Sequence, residues 1–442
     1  ENRDLREQLL TAYTVRGNQN NEYDNKAIIA EIINLRVEKA RLLGYETFAH
    51  YTLEPRMAGT PDKVRELLDQ LWEASLPVAK REVTQMQAII DSEGGGFKLA
   101  PWDWWFYAEK LRKATYDLDD NDLRPYFEIN NVRDGVFYVA NQLYGLTFEE
   151  LEDMPKPHPD AQVFEVFEAD GSHAAVIYMD YHPRESKRGG AWCGRFRSQN
   201  RADGAEVDPV INLVCNFTTA TEDTPALLSL DEARTLFHEF GHALDGMLSN
   251  VTYRTTVRSP DFGELPSQIM EHWAVAPEVL KVYARHYETG EPIPDELIAK
   301  IENSSFFNQG FSQVEVLAAS LLDMEYHALT APTELDVNVF EKTYFDEIGL
   351  IPEIVSRYRT TYFSHITGGY AAGYYGYTWS GVLDHDAFAA FEETSLFDQE
   401  TANRFRTEIL EVSGSKDYMD MWIAFRGREP EIGPLLRNLG LL

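Results

Sequence analysis

The residues best suited to chemistry lie in one short stretch. His238 and His242 are four positions apart, and Glu239 directly follows the first histidine. Positions i and i+4 lie on the same face of a helix, so both imidazoles can reach one ion. The carboxylate of Glu239 can then address a water molecule bound to that ion. The spacing therefore predicts a zinc site built on a helix.

The sequence around these histidines predicts the helix that the spacing requires. Ser229 followed by Glu232 forms a capping box at its start. Apolar residues then recur at helical spacing, namely Leu230, Ala233, Leu236, Phe237, Phe240, Ala243 and Leu244. The alternative is an amphipathic helix with two ordinary polar-face histidines. The capped helix and the spacing favour zinc.

Two histidines leave a zinc site short of a third protein ligand. Asp245 and Leu248 occupy the positions where a metzincin would carry Gly and His, so we expect a carboxylate further along the chain. Glu264 and Glu271 are the two candidates. They are seven residues apart and nearly eclipsed on one helix, so one can bind the metal while the other hydrogen-bonds a ligand imidazole. The spacing does not decide which.

A third polar segment, from His365 to Trp379, contains four glycines and four tyrosines within residues 368–377. Phenol hydroxyls and an imidazole can donate hydrogen bonds to the oxyanion that develops during amide hydrolysis. The alternative is a tyrosine cluster packed in the core. The zinc pattern elsewhere in the chain favours the functional interpretation.

Composition limits the classes of protein to consider. A hydrophobic content of 44% predicts a globular protein. The length of 442 residues predicts two domains or one large lobed body. Forty basic against 73 acidic residues give a net charge of −33, which disfavours nucleic acid and anionic membranes as partners. No apolar run reaches the length of a membrane span. Cys193 and Cys215 are too few for a disulfide framework and are expected to be reduced and partly buried.

The chain opens with Glu-Asn-Arg-Asp, without Met or a signal-peptide pattern. We therefore expect it to begin inside a longer protein. The cytoplasm is the expected compartment, with the periplasm as the alternative.

Helices are predicted for most of the first third of the chain. One spans Asn25 to Gly44, and a second begins at Thr60-Pro61 and ends at Gly94–Gly96. Pro101 begins an aromatic helix that carries Trp102, Trp104, Trp105, Phe106 and Tyr107. These rings could form a channel wall, but core packing is favoured.

A small sheet is predicted next. Three β-rich segments, Val163–Phe167, Ala174–Asp180 and Val210–Phe217, predict strands, with Gly171 in the first turn. Lys187–Trp192 is predicted as an exposed, glycine-rich edge. We therefore predict a mainly α-helical protein with a helical channel-wall region at 1–150 and a catalytic region at 151–442. The latter contains a sheet at 160–217, a helix at 230–248 and a helical remainder.

Three segments together resemble the thimet oligopeptidase family of zinc metallopeptidases. They are His-Glu-Phe-Gly-His, Asp-Phe-Gly-Glu-Leu-Pro-Ser-Gln and His-Ile-Thr-Gly-Gly-Tyr-Ala-Ala-Gly-Tyr-Tyr-Gly-Tyr-Thr-Trp. Arg-Gly-Gly-Ala-Trp, Tyr-Ala-Ala-Gly-Tyr-Tyr and the ending Phe-Arg-Gly-Arg-Glu-Pro further resemble the bacterial peptidyl-dipeptidases of that family. The resemblance extends over essentially the whole chain.

The resemblance assigns roles to particular residues. Glu264 matches the third zinc ligand, which leaves Glu271 as the outer partner of a ligand histidine. Glu239 matches the general base, and Tyr377 and His365 match groups that stabilise the tetrahedral intermediate. The expected substrate contacts are two tyrosines and an edge that pairs with extended peptide, comprising Tyr370, Tyr374, Gly189, Gly190 and Ala191.

The resemblance also implies a two-lobed zincin fold with a deep channel, one Zn²⁺ ion, and short unfolded peptides as partners of a monomer. It predicts removal of C-terminal dipeptides. The alternatives are an endo-acting oligopeptidase of the same family and an inactive, zinc-containing, peptide-binding fragment.

Two departures from the family pattern stand out. Asp245 stands where many relatives carry His, which is not a zinc ligand in the family. The family also has a further N-terminal helical segment that forms part of one channel wall. We expect this chain to be a fragment or to need that segment in trans.

Overall fold

Helices dominate the structure, a computed structural model that describes residues 2–116, 119–254, 259, 261–412 and 414–441. Those that precede the sheet are α1 (Arg3–Thr14), α2 (Lys26–Leu42), α3 (Phe48–Leu53), α4 (Pro61–Ser92), α5 (Trp104–Tyr116), α6 (Asp120–Leu123) and α7 (Ile129–Tyr144). The strands are β1 (Thr147–Glu150), β2 (Gln162–Phe167), β3 (His173–Asp180), β4 (Trp192–Arg197) and β5 (Val210–Val214). The mostly helical fold with one small sheet is as predicted.

The second half of the chain is helical. Its helices are α8 (Leu230–Met247), α9 (Leu265–Val275), α10 (Pro277–Tyr283), α11 (Asp295–Ser304), α12 (Gln309–His327), α13 (Val337–Glu347), α14 (Ser364–Thr367), α15 (Gly376–Glu392), α16 (Gln399–Phe405), α17 (Tyr418–Arg426) and α18 (Gly433–Asn438). Short 3₁₀ turns occur at Pro101–Asp103, Arg124–Tyr126 and Thr360–Tyr362, and a π-helical turn at Arg406–Leu410. Among the described residues, no helix is both long and apolar enough to span a bilayer.

Local signals set the ends of the long helix α4. The Thr60 hydroxyl accepts a hydrogen bond from the Lys63 amide, and Pro61 occupies the first turn, where its missing N–H costs nothing. Beyond the last turn, Gly94 has φ +71°, a conformation that favours glycine. The predicted start and stop of this helix are confirmed.

The sheet has the strand order β1-β2-β3-β5-β4, and only the β3–β5 pair is parallel. The three predicted strands are present, although the last one ends at Val214. Gly171, with φ +82°, lies in the turn between β2 and β3. The sequence prediction missed β1 and β4. Both lie at the edges of the sheet and are mostly exposed or half-buried, so neither shows the apolar alternation of a buried strand.

Two hydrophobic cores build the two lobes. The first packs the sheet against α7, α8 and α9 and includes residues of α15, α16 and α17. The second is built from α2–α5, α12 and the segment 354–382. The chain therefore returns to the second core after residue 310, so the cores do not follow the predicted division at residue 150.

Part of the aromatic cluster near Pro101 belongs to the second core, namely Trp104 and Tyr107, with Phe106 packed against them. Trp104 is 1% exposed and stacks on Phe311 with ring centroids 4.6 Å apart, and Tyr107 is buried. The described residues that line the main cleft do not include this cluster. Core packing, the favoured interpretation, holds for Trp104, Phe106 and Tyr107, whereas Trp105 is 63% exposed. The two cysteines are free thiols, with Cys193 half-buried and Cys215 buried.

Candidate metal centre and active site

The helix α8 begins with the predicted capping box. The Ser229 hydroxyl accepts from the Glu232 amide at 3.1 Å, and the Glu232 carboxylate accepts from the Ser229 amide at 2.8 Å. Most of the apolar stripe of α8 is buried in the first core. This burial fixes the rotation of the helix and points His238 and His242 into the cleft between the lobes.

Three potential ligands converge at this point. The Oε2 atom of Glu264 lies 3.4 Å from Nε2 of His238 and 3.2 Å from Nε2 of His242. One ligand atom from each residue lies within 4.8 Å of the others. Two imidazole nitrogens and one carboxylate oxygen form the donor set of a catalytic zinc site. The residues present therefore fit a zinc ion.

Gly241 brings the third ligand within reach. A Cβ atom at this position would lie 2.0 Å from the Pro266 carbonyl oxygen and 2.6 Å from the Ser267 Cα. The missing side chain lets α8 contact the backbone at the start of α9, directly after Glu264. Gly241, inside the segment His-Glu-Phe-Gly-His, thus has a packing role that was not predicted from the sequence.

Two polar contacts orient the ligands. Oε1 of Glu271 lies 2.7 Å from Nδ1 of His238, which leaves Nε2 of that ring to face Glu264. The Ser267 hydroxyl donates to Oε2 of Glu264 at 3.0 Å. Glu264 thus lies beside the Nε2 atoms of both histidines and Glu271 lies behind one ring, a choice that spacing alone left open.

Electrostatics at the centre favour positive charge. Burial alone would lower the pKa of His238, but hydrogen bonds with Glu264 and Glu271 raise it to about 10. Burial opposes ionisation of Glu264, yet its hydrogen bonds with both histidines hold its pKa well below the usual range. The three side chains therefore stabilise a cation between them.

Glu239 is the polar residue next to this centre. Its side chain is buried, and its Oε2 atom has no hydrogen-bond partner among the described residues. Burial raises the pKa of this carboxyl above its ordinary value. A buried carboxylate with an unpaired oxygen that lines the cleft is suited to accept a proton from a small molecule there.

The tyrosine-rich segment forms the opposite side of the centre. The rings of Tyr370 and Tyr377 stack with centroids 5.4 Å apart, and burial together with the negative charge of Glu264 raises the pKa of the Tyr370 hydroxyl. His365 lies edge-on to both rings, and its Nδ1 has no partner among the described residues. Burial lowers the pKa of His365, which favours the neutral imidazole. All three residues line the cleft.

Tyr374 belongs to the second core. It is 5% exposed, and its ring packs against His365, Tyr358 and Phe363. It does not line the cleft, because the Asp323 carboxylate draws the backbone at this point into the second core. The contact between Tyr374 and substrate stays a prediction, since the ring lies behind the residues that line the cleft.

The glycine-rich edge lies at the other side of the cleft. The cleft has a volume of about 1670 Å³ and is lined by Gly189, Ala191 and the first residues of β4. Gly190 is exposed in the same loop, with φ +85°. Since β4 is the last strand of the sheet, its outer edge can accept another extended chain. Asp245 pairs with Arg195 of this strand at 3.2 Å and does not belong to the ligand cluster.

Sequence analysis missed two buried carboxylates that position the site. Asp323 accepts hydrogen bonds from the amides of Ala372, Gly373 and Tyr374 at 2.8–2.9 Å. Asp261 accepts from the Tyr375 hydroxyl at 2.7 Å and from the Ala58 amide at 3.0 Å. Both carboxylates are fully buried. They hold the tyrosine-rich segment through contacts between residues about 50 or more positions apart in the sequence. The only sequence signal for Asp261 is its position three residues before Glu264.

The model of Peptidase family M3 matches residues 1–441, which is nearly the whole chain. The chain belongs to Peptidase family M3. Membership in this family implies a metal cofactor, which agrees with the ligand cluster described above.

Relatives with two different names match nearly the whole of this chain. Dipeptidyl carboxypeptidases from Escherichia coli (strain K12) and Salmonella typhimurium (strain LT2) are 42% and 41% identical over 446 residues, which cover 99% of this chain and 65% of each relative. Oligopeptidase A from Escherichia coli (strain K12) is 38% identical and matches 100% of this chain and 66% of its own length. The chain thus spans slightly less than two thirds of these relatives.

Solved structures share the fold at low identity. A carboxypeptidase from Pyrococcus furiosus superposes with a TM-score of 0.57 at 13% identity, covering 100% of this chain and 78% of the other. The M32 carboxypeptidase from Deinococcus radiodurans R1 gives 0.56 at 14% identity, with 99% and 77% covered. The mostly helical fold therefore also occurs in these carboxypeptidases.

Proposed function

We propose that this chain carries the catalytic centre of a zinc-dependent peptidyl-dipeptidase, which removes C-terminal dipeptides from short unfolded peptides. The observation that carries the proposal is the convergence of His238, His242 and Glu264 beside the buried Glu239. The identity to two dipeptidyl carboxypeptidases supports the choice of reaction.

The residues divide the chemistry in a simple way. His238, His242 and Glu264 would hold the zinc ion, which as a Lewis acid supplies charge stabilisation and makes water more acidic. Glu239 takes the proton from the attacking water and passes it to the leaving amine. Its second oxygen has no partner among the described residues, which leaves it available for this transfer.

The tyrosine-rich segment would stabilise the tetrahedral intermediate. Tyr377 keeps its proton because burial raises the pKa of its hydroxyl, so it can donate a hydrogen bond to the oxyanion. His365 lines the cleft beside it as a second donor. The outer edge of β4, with Gly189 before it, would pair with the extended substrate backbone.

An endo-acting oligopeptidase is the second candidate. It is supported by the 38% identity to Oligopeptidase A, which extends over the whole of this chain. The two functions share the reaction and differ in whether the substrate must present a free C-terminal carboxylate.

Matched peptides with a free or an amidated C-terminus separate these candidates. A peptidyl-dipeptidase that binds the carboxylate should lose at least about tenfold in kcat/KM on the amide, since a charged hydrogen bond contributes roughly 1.5–3 kcal/mol. Equal rates on both peptides would favour the oligopeptidase. The control is a pair that differs only in N-terminal acetylation.

The remaining proposals concern context. An inactive peptide-binding fragment is the non-enzymatic alternative, and assays with and without the relatives' N-terminal segment would separate it from a working enzyme. We further propose a monomer in the cytoplasm, with the periplasm as the alternative compartment. Size-exclusion chromatography with light scattering would test whether the protein is a monomer.

A further inference from the structure

A second cluster of imidazoles and a carboxylate lies outside the cleft. His272 extends from α9, and Asp384 and His385 extend from α15. One possible ligand atom from each lies within 4.8 Å of the others. Neither the proposed reaction nor the sequence analysis gives these residues a role.

The cluster repeats the arrangement of the first centre. The rings of His272 and His385 meet edge-on at 84°, with centroids 4.7 Å apart, compared with 86° and 5.1 Å for His238 and His242. A single buried carboxylate again accompanies the two rings. Asp384 faces His385 with Oδ1 in a close contact, and its Oδ2 lies 3.8 Å from Nε2 of His272.

The surrounding contacts hold the three groups in place. The His272 ring stacks on Phe388 with centroids 4.3 Å apart and planes 9° from parallel. Nδ1 of His385 lies 2.8 Å from the Gly381 carbonyl oxygen, one helical turn earlier. Asp384 is 4% exposed, whereas both imidazoles are half-buried and accessible to an ion from solvent.

Charge favours a cation at this position. Two interpretations compete, namely a proton shared by one carboxylate and two imidazoles, or a divalent ion bound by all three. Glu271 contributes negative potential at His385, and the whole chain carries a net charge of −33. Imidazole nitrogens with a carboxylate suit zinc and similar transition metals better than calcium or magnesium.

We propose that His272, Asp384 and His385 form a second binding site for a divalent transition-metal ion such as Zn²⁺. An ion there would link α9, which begins directly after Glu264, to α15, which begins next to Tyr377. The site would thereby brace the two helices that position the metal ligand and the oxyanion donor. The proposal does not depend on peptidase activity.

Zinc stoichiometry tests the proposal directly. The protein is equilibrated in a zinc buffer, and bound metal is measured by inductively coupled plasma mass spectrometry. We expect two equivalents in the unaltered chain and one after His272→Asn with His385→Asn. The double variant His238→Asn with His242→Asn should also retain one, and combining all four changes should leave none. His286→Asn is the matched control, because it is half-buried and stacks on Tyr287.

A stability measurement guards against misfolded variants. Zinc should raise the Tm of the His238→Asn/His242→Asn variant, and the isosteric change Asp384→Asn should abolish that rise while leaving the metal-free Tm little changed. The proposal is overturned if the unaltered chain binds a single ion. It is also overturned if the His238→Asn/His242→Asn variant binds zinc equally well whether or not His272, Asp384 and His385 are replaced.

Discussion

At the residue scale, the carboxylates of Glu264 and Glu271 contact the two histidines in different ways. Glu264 approaches both Nε2 atoms, whereas Glu271 contacts only the far side of His238. The first position suits a metal ligand and the second an orienting partner. This difference leads to different expectations for zinc binding after Glu264→Ala and after Glu271→Ala.

Glu264→Ala should abolish stable zinc binding at the His238/His242 centre, since it removes one of the three protein ligands proposed there. Glu271→Ala should keep the ion with about 10- to 100-fold lower affinity, which is typical when an outer hydrogen-bond partner of a ligand histidine is lost. Competition with a chromophoric chelator measures both affinities. If Glu271→Ala loses more affinity than Glu264→Ala, the two assignments must be exchanged.

His365 should titrate at an unusually low pH. Burial lowers its pKa below the ordinary value of about 6.5, with Asp323 opposing and Arg357 reinforcing the shift. Between the folded pKa and about 6.5 the unfolded chain binds more protons, so the free energy of unfolding falls as the pH drops through that window. NMR titration of the ring, assigned by comparison with His365→Gln, checks the direction. A pKa above 6.5 would contradict it.

At the element scale, the contact between α8 and α9 sets the distance between the histidines and Glu264. Gly241 permits that contact because a Cβ atom would lie 2.0 Å from a backbone oxygen. Backbone cannot rotate aside as a flexible side chain can. The pairing of these two helices is therefore sensitive to a single methyl group.

Gly241→Ala should displace α9, at a cost of about 1–3 kcal/mol in the free energy of unfolding and with a loss of zinc affinity. Gly381→Ala is the matched control, because a Cβ there meets open space on α15. This control should leave zinc affinity unchanged and stabilise the helix by about 0.5–1 kcal/mol. Equal zinc affinities in both variants would refute the packing role of Gly241.

Sequence predicted the elements whose signals are local. The capping box and apolar stripe of α8, the start and end of α4, and the three buried strands all follow from residues within one segment. The edge strands β1 and β4 were missed because pairing with neighbours, not their own composition, makes them strands.

In the candidate site, too, local motifs could be predicted from the sequence and contacts between distant residues could not. Its ligands and hydroxyl groups were predictable because they stand in short motifs. The support from Asp323 was not, since the amides that it binds lie 49 to 51 residues further along the chain. Tyr374 was given a substrate contact by its motif, whereas the same Asp323 contact holds it outside the cleft.

At the scale of the whole molecule, two cores flank one cleft that contains every group the proposed reaction needs. The sheet lobe provides His238, Glu239 and the edge of β4, and the helical lobe provides His365 and Tyr377. Since the chain spans about 65% of its dipeptidyl carboxypeptidase relatives, the activity of this portion is the central question.

Mass spectrometry of a free-acid heptapeptide incubated with the zinc-loaded protein, beside its Glu239→Gln variant, answers that question. We expect successive losses of C-terminal dipeptides, with the variant binding zinc equally but turning over at least about 10²-fold more slowly. Asp231→Asn, on the exposed face of α8, is the control and should cleave normally. Undiminished cleavage by Glu239→Gln, or no cleavage by the zinc-loaded unaltered chain, would contradict the proposed centre.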